Sequence, residues 1–265
     1  MKIVTRELEF TPSYDVRSIC SPEEMLLFDI ETTGLRKETT QLYLIGCAFL
    51  KGGIWYVRQW LTENLSDEYY VLEDFLEFAS SYRTLVHFNG DRFDIPYLQY
   101  KCEYYRTRLD MRAFSSFDIY GRAKAARNLL GGVSMSQKAL EVLMGIKRED
   151  QMNGGLLIPV YYEYEKTQGT DQEKLLLLHN YDDIQGMLKI LPMAAFGELF
   201  DGHFRFEKLS EALGYVVLDL RMSQPVPFSA VACLKRNQNG IFRTEEETPK
   251  PQVRIYVEND LLQIS

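Results

Sequence analysis

The sequence predicts an α/β protein, a mixed sheet flanked by helices and followed by a small β-rich C-terminal region. Three observations predict it. A short apolar run, Met25 to Phe28, ends abruptly in Asp29, as a buried strand does at a functional edge. Strand-like and helix-like segments then alternate as far as about residue 195. Beyond residue 200 the pattern turns to short strands separated by Pro and Gly. We therefore expect residues 1–200 to form one domain and residues 201–265 a β-rich appendage.

Along the chain, the first twenty residues read as a strand fragment or an arm. Thr32-Thr33-Gly34 gives a turn. Leu42 to Leu50 and Ile54 to Trp60 flank Gly52-Gly53, which is the pattern of a β-hairpin. Val71, Leu72, Phe75, Leu76 and Phe78 recur at helical spacing over 67–80, with Ser66 as the expected cap. Thr84 to Phe88 reads as a strand, and Asn89-Gly90 as a turn. A helix follows from Phe93 to about Tyr105, with Pro96 tolerated in its first turn. Further helices are expected over Phe117 to Leu130, stopped by Gly131-Gly132, and over Ser136 to Met144. Residues 150–160, which contain Gly and Pro, read as a loop. A long helix runs from Asp171 to about Leu191, with Pro192 just beyond it. Four short strands are expected in the C-terminal region, around Tyr215, Ala230, Val253 and Leu261.

Bulk properties exclude several classes. The net charge is −8, whereas a protein that holds nucleic acid by neutralising phosphates is basic, so any such contact here must be local and metal-assisted. Four cysteines (Cys20, Cys47, Cys102, Cys233) lack a C-x-x-C pair, and the histidines are not spaced with them for zinc. The N-terminus is too charged for a secretory signal and no apolar run reaches membrane-spanning length. A cytoplasmic location is the resulting expectation.

The chemistry rests on three segments. Asp29 and Glu31, two apart on a strand, project to one side. Like charges held that close call for a cation, and oxygen clusters suit Mg²⁺ or Mn²⁺. Asn89-Gly90-Asp91-Arg92-Phe93-Asp94 places a third carboxylate at a helix start. On the long helix, the core face runs through Leu177, Tyr181, Ile184 and Leu188. Asp183 lies at the edge of that face with His179 one turn earlier, while Asp182 is expected to face water. His87 reads as a satisfied strand-end histidine, Asp118 as a helix cap, and His203 has no visible partner. Arg92 and Lys138 read as solvated.

Taken in order, Phe28 to Leu35, Asn89 to Asp94 and His179 to Asp183 resemble the three motifs of the DEDD (DnaQ-like) 3′→5′ exonucleases of the ribonuclease H-like superfamily. Leu42 to Gly46, Gly145-Ile146, Ile158 to Tyr164 and His179-Asn180 are similar to the YprB-type ribonuclease H-like family in particular. The resemblance covers roughly residues 22–195. It implies a mixed five-stranded sheet and hydrolysis of DNA or RNA phosphodiesters. It also implies two Mg²⁺ or Mn²⁺ ions held by Asp29, Glu31, Asp94 and Asp183, which clamp the attacking and leaving oxygens. Thr32, Thr33 and Leu35 would line the terminal nucleotide, and Asn89 would orient substrate or a bound water. His179 would position the attacking water or act as base. Its place differs from the better-studied exonucleases, which carry Tyr four residues or His five residues before the last Asp. The alternatives are a structure-specific endonuclease on the same scaffold and a non-catalytic module that binds nucleic acid or a partner.

Overall fold

The computed structural model describes residues 1–264 apart from 151, 153, 203, 213–214, 237–241, 245–252 and 259. Its elements in chain order are β1 (Lys2–Leu8), β2 (Met25–Thr32), β3 (Leu42–Lys51), β4 (Ile54–Leu61), α1 (Glu68–Ala79), β5 (Thr84–His87), α2 (Asp94–Tyr105) and β6 (Ser115–Asp118). There follow α3 (Ile119–Ala125), α4 (Gln137–Leu143), α5 (Gly154–Thr167), α6 (Thr170–Ile190) and α7 (Ala195–Asp201). The C-terminal strands are β7 (Phe204–Ala212), β8 (Tyr215–Met222), β9 (Ala230–Arg236), β10 (Phe242–Thr244), β11 (Val253–Glu258) and β12 (Leu261–Ile264). Two compact units result. One comprises Met1–Pro12, Val16–Asp118 and Ile146–Lys189; the other comprises Ser13–Asp15, Ile119–Gly145 and Ile190–Ser265.

The first unit is built on a mixed sheet of six strands, in the order β1-β4-β3-β2-β5-β6. This is one strand more than the five expected. The extra strand is the N-terminal segment: Lys2 to Leu8 pairs antiparallel with Leu61 to Trp55 and extends the edge. At the centre, β2 runs antiparallel to β3 and parallel to β5. Both faces of β2 are covered, which is why Met25 to Phe28 can be a continuous apolar run. The β3–β4 hairpin closes through Gly52 and Gly53 at φ 60° and 81°. Two successive positive φ values are the geometry a tight hairpin turn needs, and glycine adopts them without strain.

Each face of this sheet has its own core. On one, Leu26, Phe28, Ile30, Ile45, Cys47 and Trp60 pack against Val71, Phe75 and Leu76 of α1 and Leu98 and Cys102 of α2. On the other, Leu44 and Leu61 pack against Leu157, Tyr161 and Tyr164 of α5 and Leu176 and Leu177 of α6. Cys20, Cys47 and Cys102 are free thiols, in keeping with the absence of a disulfide pattern.

Several local expectations are corrected. Residues 150–160 are not all loop, because α5 begins at Gly154 and carries Pro159 inside it. Leu157, Tyr161 and Tyr164 lie four and three residues apart and bury one stripe, and that packing outweighs the breaking tendency of glycine and proline. The helix expected over Phe117 to Leu130 is shorter, since Ser115–Asp118 pairs with Thr84–His87 as a parallel strand before α3 starts. Ser66 does not cap α1; it lies in a 3-10 turn whose cap is Asn64, the side chain of which accepts from the Ser66 amide. Ser136 does cap α4, accepting from the Ala139 amide.

The second unit contains a six-stranded sheet, β10-β9-β11-β12-β8-β7, in which every described pairing is antiparallel. It includes two strands that the sequence pattern did not single out, β7 and β10. His203 falls outside the described residues. No helix among the described residues is long and apolar enough to cross a membrane.

Candidate active site

Asp29 and Glu31 sit on the C-terminal half of β2, opposite Gly46 and Leu44 of β3. Their side is the α5–α6 side, because Leu44 belongs to the core cluster that those helices form. Asp94, the first residue of α2, reaches back to the same strand: its Oδ1 accepts from the Ile30 amide at 3.3 Å, between the two β2 acids. Asp183 comes from α6. His179, one turn earlier, places Nε2 at 3.2 Å from Asp183 Oδ2 and 3.6 Å from Glu31 Oε1. All four carboxylates foreseen in the sequence, and His179 with them, are thus brought to one place.

The electrostatics follow from that convergence. Burial, and then the charges of Asp183, Asp94 and Glu31, hold the Asp29 carboxyl well above the usual carboxylate range. The Asn180 amide opposes this, donating from Nδ2 to Asp29 Oδ2 at 3.1 Å. Asp94 is pushed up to about 7, chiefly by burial, with the charges of Asp118 and Asp183 adding to it. Its bonds to backbone amides pull the other way. Carboxylates crowded so that Asp29 and Asp94 hold their protons more tightly are poised to take up a cation.

The donors fit a hard divalent ion. Two carboxylate oxygens, of Glu31 and Asp183, and the imidazole nitrogen of His179 lie within 4.8 Å of one another, and Asp29 and Asp94 stand beside them. The Tyr43 hydroxyl is buried and lies against Glu31 and Asp29. Burial and those two charges push its phenol far above its usual range. A bulge puts Tyr43 there: Glu31 pairs with Leu44 but Thr32 with Leu42, so Tyr43 is the unpaired extra residue. It stacks on Tyr161 of α5 with ring centres 4.3 Å apart.

Two groups at this centre escaped the sequence reading. Asp150 Oδ2 lies 2.6 Å from His179 Nδ1. Arg148 Nη2 donates to Asp183 Oδ1 at 2.6 Å. Both precede α5 on a segment whose ordinary polar composition gives no signal. Asp182 is the reason they are there. It was expected to face water, yet it is buried and accepts the backbone amides of Glu149 and Asp150 at 2.8 and 2.7 Å. The error arose from reading α6 as two-sided. From Leu176 to Ile190 the helix is buried or half-buried at every position, so no face of that stretch is left to water.

The remaining sequence candidates are placed as follows. The Thr32 hydroxyl donates to the Gly34 carbonyl and the Thr33 hydroxyl accepts from the Gln41 amide, so both are engaged in holding the turn after β2. Leu35 stands 84% exposed beside them. Asn89 adopts φ 61°, as its turn requires, and its amide donates to Asp118 Oδ1 at 2.8 Å. His87, Asp91 and Asp118 form a second group with ligand-like spacing. There the His87 ring is already committed, with Nδ1 accepting from the Gly90 amide and Nε2 bonded to the Ser116 hydroxyl. His87 is the satisfied strand-end histidine expected.

A mixed sheet whose central strand and two helices bring four carboxylates together fits one class of protein, and the chain belongs to the RNase_H superfamily, whose family model matches residues 26–194. Among individual proteins, it is 28% identical over 169 residues to the uncharacterized protein YprB of Bacillus subtilis (strain 168). That match takes in 63% of this chain and 40% of the relative, so the chain spans well under half of the relative's length. In three dimensions it resembles the family B DNA polymerase of the hyperthermophilic archaeon Pyrobaculum calidifontis, with a TM-score of 0.51 and 14% identity, over 80% of this chain and 34% of that one. A product-bound exonuclease I aligns with a TM-score of 0.44 and 12% identity, over 68% of this chain and 46% of that one. The polymerase likeness, at 14% identity, describes the fold alone.

Proposed function

We propose that this protein is a metal-dependent nuclease, a 3′→5′ exonuclease that hydrolyses DNA or RNA phosphodiesters with two Mg²⁺ or Mn²⁺ ions. The observation that carries the reading is the crowding of half-buried Asp29 against Asp183, Asp94 and Glu31, which with desolvation raises its affinity for a proton. A divalent cation relieves such crowding. Membership of the RNase_H superfamily supports it.

In this reading Asp29, Glu31, Asp94 and Asp183 are the ligands. Bound divalent ions supply a nucleophile from water near neutral pH and charge stabilisation at the leaving oxygen. His179 acts from Nε2. With Nδ1–H given to Asp150, a neutral imidazole presents Nε2 as an acceptor, able to orient a water or take its proton. Leu35, exposed at the turn after β2, offers an apolar contact to a terminal base. Asn89 holds the turn that carries Asp94 to the centre.

The test uses end-labelled single- and double-stranded DNA and RNA in Mn²⁺, with EDTA and Asp29→Asn as controls. A ladder that shortens from the 3′ end and is lost in both controls is expected. Cutting that persists in Asp29→Asn would sink the assignment, and internal cuts on end-blocked substrates would replace exonuclease by endonuclease.

A further inference from the structure

Three strands carry a row of residues in register: Asp29 on β2 pairs with Gly46 on β3, and Gly46 pairs with Gln59 on β4. The middle position has no side chain, and Asn180 of α6 fills the gap. A Cβ built on Gly46 would fall inside the van der Waals radius of Asn180 Oδ1, so glycine is required for this approach. Asn180 links the ends of the row. Its Oδ1 accepts from Gln59 Nε2 at 3.0 Å and its Nδ2 donates to Asp29 Oδ2 at 3.1 Å. Gln59 Nε2 also donates to the Leu177 carbonyl at 2.9 Å.

The direction of this chain is fixed at its far end. A backbone carbonyl only accepts, so the Gln59 amide must turn its NH₂ to Leu177. The same NH₂ then faces Asn180, which must answer with its oxygen, and the Asn180 NH₂ is left for Asp29. Reversing either amide would set oxygen against oxygen. One further observation shows that the aim of Gln59 is imposed. Its own Oε1 is buried with no hydrogen-bond partner among the described residues, a costly state that flipping the amide would not relieve.

We propose that Asn180 and Gln59 are positioning residues for the metal centre. The relay Leu177–Gln59–Asn180 takes one oxygen of Asp29, holds that carboxylate in a single orientation, and leaves its other oxygen for the ion. The inference rests on the reading of Asp29 as a ligand. Partners that orient metal ligands in this way typically contribute about 10- to 100-fold in metal affinity or activity.

The test is calorimetric titration of Mn²⁺ into metal-stripped protein, with the thermal midpoint in EDTA as a control for folding. Asn180→Leu is expected to weaken binding by about tenfold or more, in line with such partners. Gln59→Met, which keeps the volume and never touches Asp29, is expected to weaken it by about threefold or more, both with cooperative melting. Unchanged affinity in folded variants overturns the relay. A wild-type protein that takes up no Mn²⁺ overturns the metal reading itself, so the two failures are distinct. The wild-type protein gives a second measurement independent of any variant's folding. The side-chain amide protons of Asn180 and Gln59 should exchange slowly with solvent and shift on titration with Mg²⁺. Amides that exchange freely, or that ignore the ion, overturn the proposal.

Discussion

The imidazole of His179 and the carboxylate of Asp150 meet at 2.6 Å through Nδ1 and Oδ2, with both side chains buried. The contact fixes the ring: with Nδ1 occupied, Nε2 alone faces Glu31 and Asp183. We predict that Asp150→Asn lowers kcat by about 10- to 100-fold, the range for groups that orient a functional side chain. Mn²⁺ affinity should stay within about threefold of wild type, because Asp150 is not among the proposed ligands. Single-turnover cleavage beside calorimetric titration checks both halves. An equal loss in affinity would make Asp150 a ligand instead.

If Asp183 is a ligand, as proposed above, Arg148 and the ion compete for it. The Arg148 guanidinium bonds Asp183 Oδ1 at 2.6 Å and offsets one of the clustered negative charges. Coupling between two cations for one carboxylate is reciprocal, so removing the first should help the second. Arg148→Gln is predicted to tighten Mn²⁺ binding by about fivefold or more, the lower end of such couplings. It should also lower the melting temperature in EDTA. Weaker Mn²⁺ binding in the variant would contradict this account.

Asp182 acts on the fold rather than the chemistry. It accepts two backbone amides from the segment carrying Arg148 and Asp150. Asp182→Ala leaves both donors without this acceptor. The expected loss is about 1–3 kcal/mol of stability, the cost of leaving a buried donor unsatisfied. It should be visible as a lower urea midpoint at constant slope. A midpoint equal to wild type would show that the segment is held by other contacts.

In EDTA, Asp29 and Asp94 should cost the protein stability as pH rises, while buried His87, its pKa lowered, contributes the other way. The groups that face Asp29 include Asp183, Asp94, Glu31, Asn180 and the Tyr43 hydroxyl; those that face Asp94 include Asp118, Asp183 and the Ile30 amide. Both carboxyls bind a proton more tightly folded than unfolded. Their stabilising contribution is therefore full below the unfolded value of 3.8 and is lost as pH climbs through the folded value, about 7 for Asp94. Melting in EDTA should show Asp94→Asn gaining on wild type between pH 4 and 8. Saturating Mn²⁺ should remove that advantage by stabilising wild type alone. A variant that falls further behind wild type as pH rises would reverse the sign and refute the argument.

Much of the central sheet, and the carboxylates that converge beside β2, were legible in the residues alone, although the pairing of β1 and the strand β6 were not. Strand β2 was legible because a strand buried on both faces must be a continuous apolar run, and its acids because they break that run at one end. The hairpin was legible in Gly52-Gly53, and α6 in its length and in Pro192. Each of these signals is local, set by backbone sterics or by burial of neighbouring residues.

What depends on residues far apart in the chain was set by packing. Asp150 and Arg148 reach the centre because Asp182 binds their segment to α6, across more than thirty residues. Helix α5 forms through Gly and Pro because Leu157, Tyr161 and Tyr164 find a sheet face to cover. Asn180 can touch Asp29 only because Gly46 leaves a gap between them in register. Periodicity reports which residues leave water. It does not report which partner they meet, and the partners set the direction and charge of every group at this site.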